Sequence, residues 1–429
     1  MILNTASIIL LGVLLVMLLT GFPIVWAMCG ASIACIMFDP GQIMMVVPKQ
    51  VFTATNNFAF LAVPCFFLCG DIMSKGGLSS RLCKFCNALV GWIHGGLSLV
   101  TIVACAIFAA VSGSAVATTA AIGGIMHPEM VKAKYPSAYT SAIPAVAGTL
   151  GIIIPPSIVF VIYGSITQTS ISLLLMAGVV PGVVCAICLC INAYVTAKRR
   201  KYPVGEPFTM QEFWSGLKGA IWAIIMPLII LGGIYAGVCT PTESSAIACL
   251  YGGLVCLLVY RELRIKTLIE VIQSTVVSVA TLMMLTCSAL VVGYLLTVYN
   301  IPTAVATWFL DYVTSSTGFI LITIGLLLVC GMFLDVAANN LILAPLFAPI
   351  AISYGMDPVH FGLIFVFMLA LGQATPPFGS CLFVACALND DPLTQVAKEA
   401  IPFMLVELGC ILVFAFVPAI SMWLPRLIA

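Results

Sequence analysis

The sequence predicts an all-α polytopic membrane protein, and the prediction rests on its composition, its long apolar stretches and an internal repeat. Of the 429 residues, 62% are hydrophobic and only 7% are charged, whereas an ordinary soluble domain has about 25% charged residues. The 16 Lys and Arg and 15 Asp and Glu are too few to cover the surface of a soluble globule of this length. The composition therefore excludes a cytosolic enzyme and a secreted domain, and it predicts a chain embedded in a lipid bilayer.

Charge and cysteine usage exclude two further classes of protein. The formal net charge is +1 and there is no long basic run, so nucleic acid is not expected as a partner. Most of the 18 cysteines stand singly in apolar runs. Two Cys-x-x-Cys spacings occur, Cys83/Cys86 and Cys185/Cys188, but neither has a second Cys or His pair at zinc-ligand spacing. We therefore expect them to pack as small hydrophobic side chains rather than to form disulfides or a zinc site.

Apolar stretches of spanning length follow one another along the chain. A bilayer core requires about 20 helical residues, and the predicted spans are residues 8–37 with a break at 21–23, 89–110, 142–163, 173–195, 220–238, 246–259, 276–296, 319–334, 361–383 and 401–423. Three pieces, 58–69, 112–126 and 336–352, are predicted to be too short to span. The last two have apolar flanks and are predicted to begin at the tips of re-entrant helical hairpins.

The basic residues predict how the chain is oriented. They concentrate at residues 198–201 with Lys218, and again at residues 261–266. The positive-inside rule places both segments in the cytoplasm. The two spans between them then close one hairpin, whose outer turn carries residues 240–243. The apolar stretch from Ile8 has no basic residue before it and is predicted to be a retained span, not a cleaved signal peptide.

An internal repeat predicts two related halves. The string Gly-x-x-x-Pro-Pro occurs at residues 151–156 and again at 372–377, a displacement of 221 positions. The same displacement relates Ser114 to Asp335. If an odd number of spans separates equivalent points, the two repeats are inverted relative to one another, as is common in secondary transporters.

The repeat and the hydropathy together divide the chain into five predicted segments. These are residues 1–55, N-terminal scaffold helices; 56–170, repeat 1 with a re-entrant hairpin and a broken helix; 171–275, scaffold helices and a cytoplasmic connection; 276–390, repeat 2 with the same two features; and 391–429, a C-terminal helix.

The two Gly-x-x-x-Pro-Pro strings predict broken helices inside the membrane. Proline lacks a backbone donor and its ring clashes with the preceding turn, so the helix must break. Carbonyls freed at membrane depth are tolerated only where protein or water satisfies them, and they are natural ligands for sodium. A plain proline kink would explain either string alone, but two strings at equivalent positions of a repeat favour a cation-binding role.

The predicted hairpin tips carry the other candidate polar groups. The first tip offers the hydroxyls of Ser112 and Ser114, and the second offers the carboxyl group of Asp335. An ionisable group among apolar residues is expected to face a cation, a proton path or a polar partner. Asp335 also precedes a helix that it could cap, and the two roles are compatible. Glu407, in the last apolar segment, is expected to face the protein interior, with its partner left open.

Several stretches resemble the large membrane subunit of TRAP (tripartite ATP-independent periplasmic) transporters, and the resemblance extends over essentially the whole chain. The matching stretches are residues 61–67, 112–115, 151–157, 232–235 with 240–243, 331–335, 357–362 and 375–379.

The resemblance implies a sodium-driven importer of small organic acids such as a C4-dicarboxylate, a sialic acid or another sugar acid. It implies an elevator-type transport domain plus a scaffold, in the bacterial cytoplasmic (inner) membrane. The implied partners are a periplasmic substrate-binding protein and a separate small membrane subunit. In this family sodium sits where a hairpin tip meets a broken helix. The sodium-site residues implied here are Ser112, Ser114, Gly151, Ile154 and Pro156 in repeat 1, and Asp335, Gly372, Thr375 and Phe378 in repeat 2.

Three other functions compete with this interpretation. A self-sufficient sodium- or proton-coupled dicarboxylate symporter of related fold would support uptake without a binding protein. An intramembrane enzyme would need a base near the hydroxyls of residues 112–114, and no histidine lies in that segment. A passive channel fits paired half-helices less well than an occluded midplane site does.

Overall fold

The computed structural model describes residues 5–39, 41, 43–313 and 315–428, and within these ranges the regular secondary structure is helical, with one isolated β-bridge between His94 and Val204. The helices, in chain order from α1 to α21, are Thr5–Leu19, Ile24–Phe38, Val46–Thr55, Ala62–Lys75, Leu78–Val90, Gly96–Ser112, Ala115–Lys132, Ser137–Ala147, Leu150–Ile153, Ile158–Thr167, Ile171–Arg200, Met210–Tyr235, Pro241–Leu254, Ile265–Val298, Ile301–Tyr312, Ser316–Phe333, Val336–Ser353, Pro358–Gly372, Ser380–Asn389, Leu393–Phe416 and Pro418–Ile428. A 3-10 turn, Phe58–Leu61, precedes α4, and a π-helical turn, Val255–Val259, extends α13.

Eight helical segments within the described ranges are long and apolar enough to cross a membrane. They are Phe58–Lys75, Ile171–Arg200, Met210–Tyr235, Pro241–Val259, Ile265–Val298, Ser316–Phe333, Val336–Ser353 and Leu393–Phe416. The bent pair Ser137–Ile153 and Ile158–Thr167 makes up to nine. The chain is therefore a multi-pass membrane protein, as its composition predicts.

The helix order repeats at the displacement found in the sequence. Helix α7, Ala115–Lys132, and helix α17, Val336–Ser353, are both 18 residues long, and their first residues are 221 positions apart. The first residues of α8 and α18, Ser137 and Pro358, have the same separation. The helical architecture thus follows the sequence repeat, while the inverted orientation of the two halves stays a prediction.

Both predicted helix breaks are present. In repeat 1, α9 ends at Ile153 and α10 begins at Ile158, with a bend of 43° between the segments that meet there. In repeat 2, α18 ends at Gly372 and α19 begins at Ser380. Each break contains a cis peptide bond between its two prolines. The backbone therefore leaves the helix at equivalent positions of the two repeats.

Helix α18 lies at the centre of the fold, which explains the burial at the start of the second break. All its residues from Val359 to Gly372 are buried, as expected for a helix that is hydrophobic on every side. It packs against α16, α17, α20 and α11. The second break consequently starts in the protein interior, at the buried residues Gln373 to Thr375, and reaches the surface at Pro377 and Phe378.

Two predicted spans have the wrong boundaries. Residues 89–110 do not form one helix, because α5 ends at Val90 and α6 begins at Gly96. Gly95, between them, has a φ of +71°, a left-handed conformation that favours glycine. Residues 401–423 are also divided, since α20 ends at Phe416 and α21 begins at Pro418. Proline has no backbone N–H with which to continue the preceding helix.

The three pieces predicted to be too short were also misjudged in length. Helix α17 and the segment Phe58–Lys75 each have 18 residues and qualify as candidate spans. Helix α7 has the same length. The prolines inside the repeat helices, Pro128 in α7 and Pro349 in α17, do not end them. A single proline inside these helices therefore does not mark a helix end, although it can bend the helix.

The orientation of the α12–α13 hairpin can be tested with reporter fusions. We expect a fluorescent protein that folds only in the cytoplasm to fluoresce when fused after Lys201, and alkaline phosphatase to be active when fused after Val238, because the basic cluster 198–201 stays inside and α12 crosses between the two points. The exchanged reporters, each silent at the other site, are the controls. Active phosphatase fused after Lys201 would place residues 198–201 in the periplasm and contradict the predicted orientation.

Candidate functional site

The first hairpin tip is a sharp turn made by three residues. Helix α6 ends at Ser112, Gly113 adopts a φ of +62°, and Ser114 caps α7 by accepting a hydrogen bond from the Ala117 amide at 3.4 Å. A Cβ placed on Gly113 would lie 2.8 Å from the carbonyl oxygen of Pro156. Glycine is therefore required both by the backbone conformation and by the close approach of the first broken helix.

Hydroxyl groups at this tip bond to one another. The Thr118 hydroxyl donates to the carbonyl oxygen of Ser114 at 2.8 Å, and its oxygen lies 2.8 Å from that of Ser112. Both side chains are buried. The tip thus gathers several neutral oxygen atoms within the protein, which are the ligand type that a hard cation prefers.

The first broken helix packs directly on this oxygen-rich turn. A Cβ on Gly151 would lie 2.5 Å from the Ser114 carbonyl oxygen and 2.7 Å from the Thr118 hydroxyl. Four of the residues implied by the resemblance, Ser112, Ser114, Gly151 and Pro156, therefore meet at the first tip. The side chain of the fifth, Ile154, lies in a different pocket.

The Ile154 side chain faces an apolar groove on the opposite side of the break. Its groove has a volume of about 630 Å³ and is lined by side chains of α6, α11 and α12. The Ile154 amide donates to the Leu150 carbonyl oxygen at 2.8 Å. Only the backbone of this residue remains a candidate for the ion site.

The second tip is built around a capping carboxylate. Asp335 Oδ2 accepts from the Ala337 amide at 2.9 Å, so Asp335 is the N-cap of α17 as the alternative interpretation predicted. Its Oδ1 lies 3.4 Å from Nε2 of Gln373, which donates to it from the second break. Because only Oδ2 serves as the cap, Asp335 Oδ1 is free to contact the second break, the one that the repeat pairs with this hairpin tip.

Close backbone contact joins the second tip to its broken helix. A Cβ on Gly372 would lie 2.6 Å from the Cα atom of Gly331. The rings of Phe333 and Phe378 pack with centroids 6.0 Å apart, and the Phe378 side chain remains 59% exposed. Of the predicted residues, Gly372 and Phe378 therefore contact the hairpin, although the Phe378 side chain offers no ligand.

The carbonyls of the second break are largely engaged. Gly379 donates its amide to the Thr375 carbonyl oxygen at 3.1 Å, and Cys381 donates to that of Gln373 at 3.0 Å. The buried Thr375 hydroxyl donates to the Leu371 carbonyl oxygen at 2.8 Å. The second break thus satisfies much of its own backbone, and its hydroxyl oxygen keeps lone pairs for a further contact.

Two asparagines near the second tip, Asn339 and Asn340, have buried side-chain oxygen atoms without a hydrogen-bond partner among the described residues. Asn339 donates through Nδ2 to the carbonyl oxygens of Cys330 and Leu334, and Asn340 donates to that of Val159 in α10. Those Oδ1 atoms are costly unless a ligand, ion or water satisfies them.

Both tips open onto one cavity of about 390 Å³. Its wall includes Ser112, Ser114 and Asp335, and it also contains Asp71 of α4 and Gln373. No Lys, Arg or His belongs to this wall. The cavity therefore combines two carboxyl groups, several hydroxyls and the N-terminal ends of α7 and α17, without a positive side chain.

Asp71 is the site residue that the sequence did not reveal. Asp71 stands four residues before Lys75, a spacing that by itself predicts an i,i+4 pair on one helix face, but its Oδ2 accepts a hydrogen bond from the Thr275 hydroxyl of α14 at 2.7 Å. The neighbouring Gly70 brings α4 against the backbone of Ser112, since a Cβ there would lie 3.2 Å from the Ser112 carbonyl oxygen. The glycine beside the aspartate was the one available signal of this approach.

Comparison with known proteins gives one family over nearly the whole chain. Residues 11–420 match the family model described as "Tripartite ATP-independent periplasmic transporter, DctM component". The C4-dicarboxylate TRAP transporter large permease protein DctM of Pseudomonas aeruginosa is 38% identical, over 92% of each chain. The sialic acid TRAP transporter large permease protein SiaM of Vibrio cholerae is 32% identical, over 96% of each chain.

A solved structure shares the fold at low sequence identity. The crystal structure of the Alcanivorax borkumensis YdaH transporter superposes with a TM-score of 0.61, at 14% identity, over 89% of this chain and 90% of that one. The agreement supports the all-helical membrane architecture.

The glycine contact at the second tip can be tested with two substitutions in α16. We expect Gly331→Ala to destabilise the protein by about 1–3 kcal/mol, because its Cβ would lie 2.9 Å from the Gly372 Cα atom. Gly325→Ala, on the same helix with open space around it, should leave stability unchanged or raise it slightly. Thermal unfolding of the purified chain, followed by size-exclusion chromatography, measures both. Equal melting temperatures would contradict the contact.

Proposed function

Because the chain belongs to the DctM component family of tripartite ATP-independent periplasmic transporters, we propose that it is the large permease subunit of a sodium-coupled importer of small organic acids. The observation that carries the proposal is the convergence of both hairpin tips on one cavity that has two carboxyl groups and no basic side chain. An organic anion entering such a cavity needs positive charge from another source. Sodium ions bound beside the cavity would supply it.

The residues present fit two sodium sites of different composition. The first would use oxygen atoms of Ser112, Ser114, Gly151, Ile154 and Pro156, all of them hydroxyls or backbone carbonyls. The second would use Asp335 with Gly372, Thr375 and the Phe378 carbonyl. Oxygen donors of this kind suit a hard cation. In the described part of the chain no cluster of three His, Cys, Asp or Glu side chains suggests a transition metal instead.

The proposed substrate is a small carboxylate. The names of the two relatives specify a C4-dicarboxylate and a sialic acid, and both compounds are organic anions. The N-terminal ends of α7 and α17 meet the cavity, and helix N-termini attract negative charge. The carboxylate would lie between these two ends, with the sodium ions behind them.

The proposed partners follow from the family. A periplasmic substrate-binding protein would deliver the organic acid, and a separate small membrane subunit would complete the transporter in the bacterial cytoplasmic membrane. The two hairpins and broken helices, α6–α10 and α16–α19, would move together as the elevator. The α12–α13 hairpin, with basic residues at its cytoplasmic end, would remain at fixed depth.

Sodium coupling can be tested by removing one hydroxyl from each proposed site. We expect Ser112→Ala and Thr375→Ala to raise the sodium concentration for half-maximal uptake on the order of tenfold, the factor that corresponds to about 1.4 kcal/mol of lost binding. Uptake into proteoliposomes against external sodium is the measurement. Thr307→Ala is the matched control, because the Thr307 hydroxyl makes the same i−4 backbone bond as that of Thr375 but at an exposed position of α15. An unchanged sodium requirement in both site variants would disprove the assignment.

Dependence on the binding protein separates the proposal from the self-sufficient symporter. We expect the chain, reconstituted with the small subunit, to take up substrate only when a sodium gradient and the binding protein are both present. Proteoliposomes lacking the binding protein and proteoliposomes lacking the gradient are the two controls. Full sodium-driven uptake of free substrate by this chain alone would establish the self-sufficient symporter in its place.

A further inference from the structure

Glu407 is a carboxyl group with no place in the proposed transport site. It lies in the middle of α20 and is 0% exposed. Helix α20 packs against α8, α11, α18, α19 and α21. The sequence predicted that this side chain would face the interior, and its partner is Thr149, whose hydroxyl oxygen lies 2.8 Å from Glu407 Oε1.

The two short contacts of the Thr149 hydroxyl favour two protons over one. The Thr149 hydroxyl oxygen lies 2.6 Å from the Val146 carbonyl oxygen as well as 2.8 Å from Glu407 Oε1. Oxygen atoms at these distances share a hydrogen bond, and one hydroxyl proton serves two acceptors only as a weaker, bifurcated bond. A carbonyl oxygen carries no proton, so a full hydrogen bond on that side is donated by Thr149 to Val146. A full hydrogen bond between Thr149 and Glu407 then needs a second proton, which threonine does not have.

The surroundings of Glu407 offer it no positive charge. The titratable groups that interact electrostatically with Glu407 are thiols, those of Cys185 on α11, Cys381 on α19 and Cys410 on α20 itself. None of the three ion pairs in the described part of the chain includes Glu407. Its Oε2 atom is buried without a hydrogen-bond partner in the same ranges. An ionised carboxylate in such a place would be very costly, and a neutral acid far less so.

We infer that Glu407 is a proton-binding site, at which the protonated carboxyl group donates a hydrogen bond to Thr149 and so attaches α20 to the first broken helix. The proton resides on Oε1. The Thr149 hydroxyl oxygen accepts this hydrogen bond and donates its own to the Val146 carbonyl oxygen, so every oxygen in the chain of contacts from Glu407 Oε1 to Val146 is satisfied. The ligand is a proton, distinct from the sodium ions of the proposed transport function, and the inference does not depend on that function.

The hydrogen bond between Glu407 and Thr149 lies next to the first helix break and can therefore affect its stability. Thr149 is the residue immediately before α9, Leu150–Ile153, and two residues before Gly151. Loss of the proton would leave two acceptors competing for one threonine proton. The connection between α20 and the start of α9 would then weaken, and with it the support of the first break.

Infrared difference spectroscopy tests the inference directly. The spectrum of the purified wild-type chain near pH 7, minus that of Glu407→Gln, should contain the carbonyl stretch of a protonated carboxylic acid, and this band should shift in D₂O. The pH is well above the usual glutamate pKa of about 4.3. The amide of the variant can still donate to Thr149, so the fold should persist. A difference spectrum that contains only carboxylate bands would overturn the inference.

A matched substitution and a second variant complete the test. Glu399→Gln lies on the same helix, but Glu399 pairs with Arg200 at 2.7 Å, so its difference spectrum should show carboxylate bands alone. Thr149→Val removes the acceptor, and the acid band of the wild type should move to higher frequency in that variant. This second measurement does not need Glu407→Gln to fold. An acid band that is absent, or unchanged in Thr149→Val, would contradict the hydrogen bond.

Discussion

Backbone groups released inside a membrane must find partners in the protein, and the rest of this structure depends on how the two broken helices meet that constraint. At the first break, Pro156 places its carbonyl oxygen beside Gly113 of the hairpin tip. At the second, the amides of Gly379 and Cys381 return to the carbonyls of the break itself. In both, a glycine without a side chain lets one backbone reach another. Residues of both tips and of both broken helices then line the same cavity.

Much of this arrangement could be predicted from the sequence because it depends on local chemistry. Paired prolines break a helix wherever they occur, and a fixed displacement identifies equivalent residues without any three-dimensional information. The contribution of Asp71 could not be predicted, since it results from α4 meeting α14 and the first tip, which are far apart in the chain. The partner of Glu407 was hidden for the same reason. The family resemblance implied that Phe378 is a sodium ligand. The structure shows that its ring packs on Phe333 and is largely exposed, which the sequence alone could not indicate.

Two pairs of helices, α7 with α17 and α8 with α18, begin at the same displacement in the two halves, but the halves differ in their chemistry. Helices α7 and α17 have equal length, yet the residue that caps the first is Ser114 and the residue that caps the second is Asp335. One cap is neutral and the other is ionisable. A cation at the second tip would be offset by a carboxylate, whereas one at the first tip would keep its charge for a neighbouring anion. The two repeats thus have similar helices at the tip, but only the second tip carries an ionisable cap.

The two carboxyl groups of the cavity also determine how the membrane potential acts on it. If Asp71 and Asp335 are ionised, the empty cavity carries a formal charge of −2 on its wall. Moving one elementary charge through 100 mV involves about 2.3 kcal/mol. In a carrier whose cavity crosses the membrane, a potential that is negative inside pushes the empty, negatively charged form outward. Under the import function proposed above, the voltage would then return the unloaded carrier to the side where substrate arrives, and the proposed sodium ions would cancel that force for the inward journey.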